Sequence, residues 1–269
     1  MKISKKRQCY EDIYYKCSET EDVSLPTDKC GIPKYTLVSM PDDELFNLIE
    51  PYISKYGPEI DGCKDVVQHN KLSVHPQQLY GNWDNGWALD IYTTKSTPRP
   101  GGEGFDNEYT DVGYALHRLK YWVDISSDER SQLINKLSNA VVDFMQKRSS
   151  VTPCLDVIMP TPPSKNREIQ LVPEMAKKIG QLLKISVDNE YLIKVRETQQ
   201  LKGVNSLIEK REILDSAFGI SGDKYQAKSI LLFDDVYDSG STLNEITKTL
   251  RSAGKVQKVY VVTLTKTRK

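Results

Sequence analysis

"SILLFDDVYDSGSTLNEITKTLRSAGK", residues 229–255, decides how this chain is read. An apolar run from Ile230 to Phe233 leads directly into Asp234 and Asp235, with Asp238 three residues further on. Carboxylates rarely follow so closely on a buried run unless something polar meets their charge. The run has the length of a strand, while Leu243, Ile246, Leu250 and Ala253 recur at helical spacing until Gly254 stops them. Between the two stand Asp238, Ser239, Gly240, Ser241 and Thr242. A turn of small residues at a helix start lets backbone amides approach a phosphate, and its hydroxyls add donors. The carboxylates at the strand end can accept from the hydroxyls of a sugar. The ligand implied is a sugar phosphate.

Working outward, the same alternation recurs. "LDVIMP" (155–160) is a strand, Val172, Met175, Ala176, Ile179, Leu182 and Leu183 stripe a helix, "YLIKV" (191–195) is a second strand, and "KVYVVTLT" (258–265) is the last. Short apolar strands alternating with amphipathic helices predict an α/β fold with a parallel, doubly wound sheet covered on both faces. Two helices precede it. One starts behind Thr110 with Val112, Ala115, Leu116, Leu119 and Trp122 at helical spacing; the other opens with Ser126 and Glu129 at capping-box spacing. This divides the chain into an N-terminal extension, 1–109, that could act as a hood, and an α/β domain, 110–269. Within the extension, residues 1–38 read as an irregular arm, a short helix starts near Pro41, residues 87–92 are strand-like, and "KSTPRPGGEGFDNEY" (95–109) reads as a loop.

Composition bounds the partners. Lys plus Arg balance Asp plus Glu at 37 each over 269 residues, so no overall field draws in nucleic acid. There is no apolar stretch of membrane-spanning length and no signal-peptide core in "MKISKKRQCYEDIYYK", which makes the cytoplasm the expected location, without a membrane partner. Five cysteines, at 9, 17, 30, 63 and 154, contain no CxxC pair and imply neither a disulfide framework nor a zinc ribbon. His69, His75 and His117 lack ligand spacing, and His117 reads as an exposed polar residue; Trp83, Trp87 and Trp122 read as core or seam residues.

"ILLFDDVYDSGST" resembles the signature of the type I phosphoribosyltransferases: four apolar residues, two acids, three variable positions, Thr or Ser, Gly, any residue, Thr. The acids also spell DDxxD, the metal motif of terpenoid synthases, but that motif lies on a helix. The resemblance covers roughly residues 110–269 and is closest to the ComF-like branch, through "RLKY" (118–121), "VIMPTPPSKNREIQ" (157–170), "VRETQQLKGVNSLIEKREILDSAFGI" (195–220) and the signature, in that order. Many members of that branch carry an N-terminal zinc ribbon of CxxC pairs; this chain does not, so zinc is not implied.

The resemblance implies a phosphoribosyltransferase that binds 5-phosphoribosyl 1-diphosphate with Mg2+ and moves the phosphoribosyl group to or from a nitrogenous base, a purine among the candidates. Asp234 and Asp235 would hold the ribose 2- and 3-hydroxyls and touch the metal through water. Asp238, Ser239, Gly240, Ser241 and Thr242 would hold the 5-phosphate. Ser164, Lys165 and Arg167 correspond to the diphosphate loop, where donors and positive charge suit a leaving diphosphate. Arg196, Lys202, Lys210 and Arg211 fall on the flexible loop that closes over the reacting centre. Asp238 matches a position that holds a proton acceptor in the 6-oxopurine enzymes, and a turn cap is the alternative. A homodimer is one admissible assembly. A different class of function, a non-catalytic sensor of the diphosphate sugar or of nucleotides, or a DNA-uptake accessory protein, fits the same pocket.

Overall fold

The computed structural model describes residues 5–19, 71–100, 102, 104–122, 125–163, 170–196 and 213–268, with the single positions 45, 49, 60, 206 and 209. Contacts divide the chain into two compact units, 1–72 and 73–269. In the first, helix α1 (Lys5–Glu19) buries Cys9, Tyr10, Ile13 and Tyr14, spaced to share one face, and Arg7 pairs with Glu11 one turn on at 2.8 Å. Cys9 is disulfide-bonded. Residues 5–19 therefore correct the expectation of an irregular arm; the charged residues between the Tyr and Cys positions hid the periodicity. Most of the short helix expected near Pro41 lies outside the described residues, although Leu45 and Ile49 are helical and buried.

In the second unit the chain runs β1 (Gln77–Leu79), β2 (Asn85–Ile91), β3 (Thr93–Pro98), β4 (Phe105–Tyr109), α2 (Asp111–Tyr121), α3 (Ser127–Gln146), β5 (Val157–Pro160), α4 (Leu171–Leu183), β6 (Ser186–Val187), β7 (Leu192–Lys194), β8 (Phe218–Ile220), β9 (Ser229–Tyr237), α5 (Ser241–Ser252) and β10 (Lys258–Lys266). The main sheet has the order β1-β2-β10-β9-β5-β6. Every pairing in it is parallel except β1 with β2 at one edge. This is the parallel α/β sheet expected. Residues 77–91, counted with the extension in the sequence, supply two of its strands.

Alternation along the central strands distributes the core over two layers. Ile230 and Leu232 of β9, with Val157 and Met159 of β5, pack in one cluster with Leu243, Ile246 and Leu250 of α5. The intervening Leu231, Phe233 and Ile158 are fully buried and turn to the opposite face, where α2 and α3 pack on β10 and β2, and α4 on β5 and β9. Both predicted helix starts have the expected caps. Thr110 Oγ1 accepts the Gly113 amide at 3.0 Å while donating to the Ile91 carbonyl at 2.7 Å, and Ser126 Oγ accepts the Glu129 amide at 3.1 Å. Glu129 does not close the capping box; its carboxylate accepts from Arg118 of α2 at 2.8 Å instead. Asp84 joins the start of β2 to β10, accepting from the Val259 amide at 2.9 Å and from Arg251 at 2.8 Å.

Two expectations need correction. Residues 95–109 are no simple loop: β3 and β4 form an antiparallel hairpin, braced by Arg99–Asp106 at 2.7 Å, with Gly102 and Gly104 at positive φ. Its Pro and Gly content masked two strands whose exposed positions carry no apolar alternation. "YLIKV" does not join the parallel sheet. Leu192–Lys194 pairs antiparallel with β8 as a separate two-stranded element, and the two-residue β6 takes the edge beside β5. Strand propensity alone does not select the partner.

Candidate functional site

The strand that carries the acids does not stop at Phe233. β9 continues through Asp234, Asp235, Val236 and Tyr237, paired with β10 along that length. The chain then turns over residues 238–240 and enters α5 at Ser241. A strand here excludes the helical DDxxD metal motif.

Asp234 is partly buried beside the end of β5, where the Thr161 amide bonds to the Phe233 carbonyl at 2.9 Å. It accepts the Asp235 amide at 2.9 Å and the Thr161 hydroxyl. Burial, and then the neighbouring Asp235 charge, pushes the Asp234 carboxyl up to about 7, against the opposing help of Thr161 and Lys120. Asp235 follows Leu231 and Phe233 to the face that carries α2, which is why Lys120 meets it: Nζ stands 2.7 Å from Oδ2. Both side chains retain only 18% exposure.

The raised Asp234 has a stability consequence with a definite sign. Its folded-state value lies above the unfolded one near 4, so folding takes up a proton between the two. Stability therefore falls as pH rises from about 4 towards 7, and above that the ionised carboxyl costs the fold. Asp234→Asn is expected to raise the midpoint of thermal unfolding at pH 8 and leave it nearly unchanged at pH 4. Equal shifts at both values would contradict the burial of this charge.

The turn after β9 is built from small residues. Gly240 is left-handed (φ 70°) and occupies the N-cap position of α5, with no side chain capping the helix. Ser239 and Ser241 hydroxyls are 2.9 Å apart, Ser241 is buried, and Thr242 is half-buried in the first turn. Asn244 fixes the turn from below, donating to the Gly240 carbonyl at 3.0 Å and accepting the Asn82 amide at 2.7 Å. Tyr237 packs edge-on against the buried Trp83, with ring centres 6.3 Å apart. Asp238 is exposed and accepts from Thr267 at 3.1 Å; the cap position is held by Gly240, so Asp238 is not the N-cap of α5.

Above the strand ends, the segment after β2, the hairpin and α2 assemble aromatic rings that the sequence did not group. His117 stacks on Tyr109 at 4.6 Å and lies 5.0 Å from Tyr121. Tyr92 reaches His117 Nδ1 at 3.1 Å and meets Tyr109 edge-on at 5.6 Å. His117 is half-buried rather than the exposed polar residue expected, and that burial holds it below its ordinary range. The Tyr92 hydroxyl is held far above its usual range, first by burial, then by Tyr121, Tyr109 and Asp235. Tyr121 remains half exposed. Trp83 and Trp87 are core residues as expected, but Trp122 is 46% exposed with the Arg118 guanidinium 3.7 Å over its ring.

Of the remaining predicted residues, Arg196 donates to the Ile213 and Asp215 carbonyls at 3.0 and 2.8 Å, tying the two ends of the loop segment together. Ser164, Lys165, Arg167, Lys202, Lys210 and Arg211 lie outside the described residues. Sequence reasoning missed Lys120, although it stands in the quoted "RLKY"; the signal available was one Lys in an otherwise half-buried helix turn. Among the described residues no three His, Cys, Asp or Glu side chains come together to hold a metal.

The chain carries an apolar strand of a mostly parallel α/β sheet into two acids and a Gly-containing turn, and over part of its length it resembles a competence protein. It is 32% identical over 89 residues to Competence protein F of Haemophilus influenzae, a match spanning 32% of this chain and 38% of that relative. Among solved structures, adenine phosphoribosyltransferase from Leishmania donovani aligns over 71% of this chain and 86% of its own, at 11% identity and a TM-score of 0.32. No protein-family model matches the chain. No helix among the described residues is long and apolar enough to cross a membrane.

Proposed function

We propose that the chain is a phosphoribosyltransferase that binds 5-phosphoribosyl 1-diphosphate and exchanges its diphosphate for a nitrogenous base. The observation that carries this is the continuity of β9 into the turn, which sets Asp234 and Asp235 one short turn before a helix start left without a side-chain cap. The 5-phosphate sits against residues 238–242, and the ribose hydroxyls donate to the acids. When bound, Mg2+ would supply the charge neutralisation that lets the diphosphate leave, with Asp234 and Asp235 touching it only through water. The partly exposed array of Tyr92, Tyr109, His117 and Tyr121 offers a planar base a surface to stack on, with Tyr121 as its open face. Asp238, exposed beside the turn, accepts the proton that the base loses as its bond to C1 forms on this reading, which its exposure allows.

Hydrogen bonds to a charged group contribute about 1.5–3 kcal/mol. Isothermal titration with the diphosphate sugar and Mg2+ should therefore show binding to the parent and about ten- to a hundredfold weaker binding to Asp235→Asn. Equal binding by both, or none by the parent, would remove the site assignment. A second reading, a sensor that binds without turnover, draws on one observation: the relative matched over 89 residues carries the name of a competence protein, not of an enzyme. Diphosphate release on incubation with a panel of bases separates the two, since a sensor would bind the sugar and release none.

A further inference from the structure

The ammonium of Lys120 lies 2.7 Å from Asp235 Oδ2 and so holds one of the two oxygens that the proposed reading offers to the sugar hydroxyls. Lys120 is delivered by α2, whose start is fixed to the end of β2 by Thr110 and whose body packs on β2 and β10. The contact is not a loose surface pair, since both side chains are more than four-fifths covered. Two adjacent carboxylates left without such a neighbour would repel one another and attract a divalent ion.

We propose that Lys120 is a built-in counter-ion for Asp235, a positioning residue that keeps the acid pair from loading a divalent cation until the sugar arrives. Resting on the reading of Asp235 as the sugar-facing acid, it explains why the metal would come with the diphosphate. In the free protein the ammonium holds one carboxylate oxygen in place and cancels its charge. Binding then exchanges this contact for ligand hydroxyls.

The test uses Mn2+ alone, without any sugar, followed by electron paramagnetic resonance of the free ion on the full chain. An opposite charge at this distance alters a carboxylate's affinity for a cation by about tenfold or more. The parent should bind Mn2+ weakly. Lys120→Met and Lys120→Gln, the second keeping a polar head without charge, should each bind about tenfold more tightly. Lys120→Arg should stay within about twofold of the parent, because it restores the charge. Adding Asp235→Asn to Lys120→Gln should abolish the gain. Circular dichroism of each variant checks that the helices persist.

No gain in either neutral variant, or a gain that survives Asp235→Asn, would overturn the proposal. Because no sugar is present, that failure is distinct from a parent that does not bind the diphosphate sugar, which would sink the functional reading instead.

Discussion

Gly240→Val should reduce binding of ribose 5-phosphate by about a hundredfold and lower stability by about 2–3 kcal/mol. Two causes act together. The residue sits at φ 70°, a conformation that costs a β-branched side chain most. An added Cβ would also stand 2.7 Å from Tyr237 Cε2 and 2.8 Å from its hydroxyl oxygen. Tyr237 cannot swing freely, since its ring lies edge-on to Trp83 and its hydroxyl reaches the Tyr80 carbonyl at 3.4 Å. Either the Tyr237 ring leaves these contacts or the backbone gives, and the left-handed φ strains the start of α5 in both cases. Calorimetric titration of ribose 5-phosphate and a thermal melt measure the two effects separately. Tyr237→Ala in the same chain should recover part of the stability and little of the binding, because it removes the clash but not the φ penalty. Parent-like binding by Gly240→Val would mean that the phosphate does not sit in this turn.

The second large effect lies away from the turn. Gly113→Val should cost about 3 kcal/mol, or roughly 6–12 °C in the melting midpoint for a unit of this size. Here φ is not the issue. A Cβ at this position would lie 2.0 Å from the Tyr92 carbonyl oxygen and 2.9 Å from its carbon, and backbone cannot yield as a side-chain tip can. Helix α2 passes this close because Thr110 fixes its first turn to the Ile91 carbonyl. Moving α2 outward also withdraws Lys120 from Asp235, so this variant should gain Mn2+ affinity in the same sense as Lys120→Gln. A melting midpoint within about 2 °C of the parent would show that the close approach does not constrain the helix.

Legibility in the sequence followed the range of the interactions. The strand, the acids, the turn and α5 were readable because an apolar run, a Gly and a helical stripe are local signals, and the structure keeps all of them in that order. Thr110 and Ser126 were readable as caps because a side chain three residues from an amide needs no tertiary help. The hairpin of β3 and β4 was not, since its cross-strand pairs lie among Pro and Gly without an apolar face. His117 was misread for a related reason: nothing in helical spacing announces that Tyr92 and Tyr109, from other segments, will close around it.

By itself, then, the sequence determined the chemistry on offer at the end of β9, two carboxylates and a turn able to take an anion, because a strand, a Gly and a helix start are set by neighbours a few residues away. Only the tertiary structure decided what faces that chemistry. β2, from far earlier in the chain, pairs beside β10, and α2 carries Lys120 to within 2.7 Å of Asp235 while its His117 stacks on Tyr109 of the hairpin. Those approaches depend on how Leu116, Leu119, Phe233 and their neighbours are buried against one another. Such packing is a property of the whole sheet and its helices, and no window of the chain contains it.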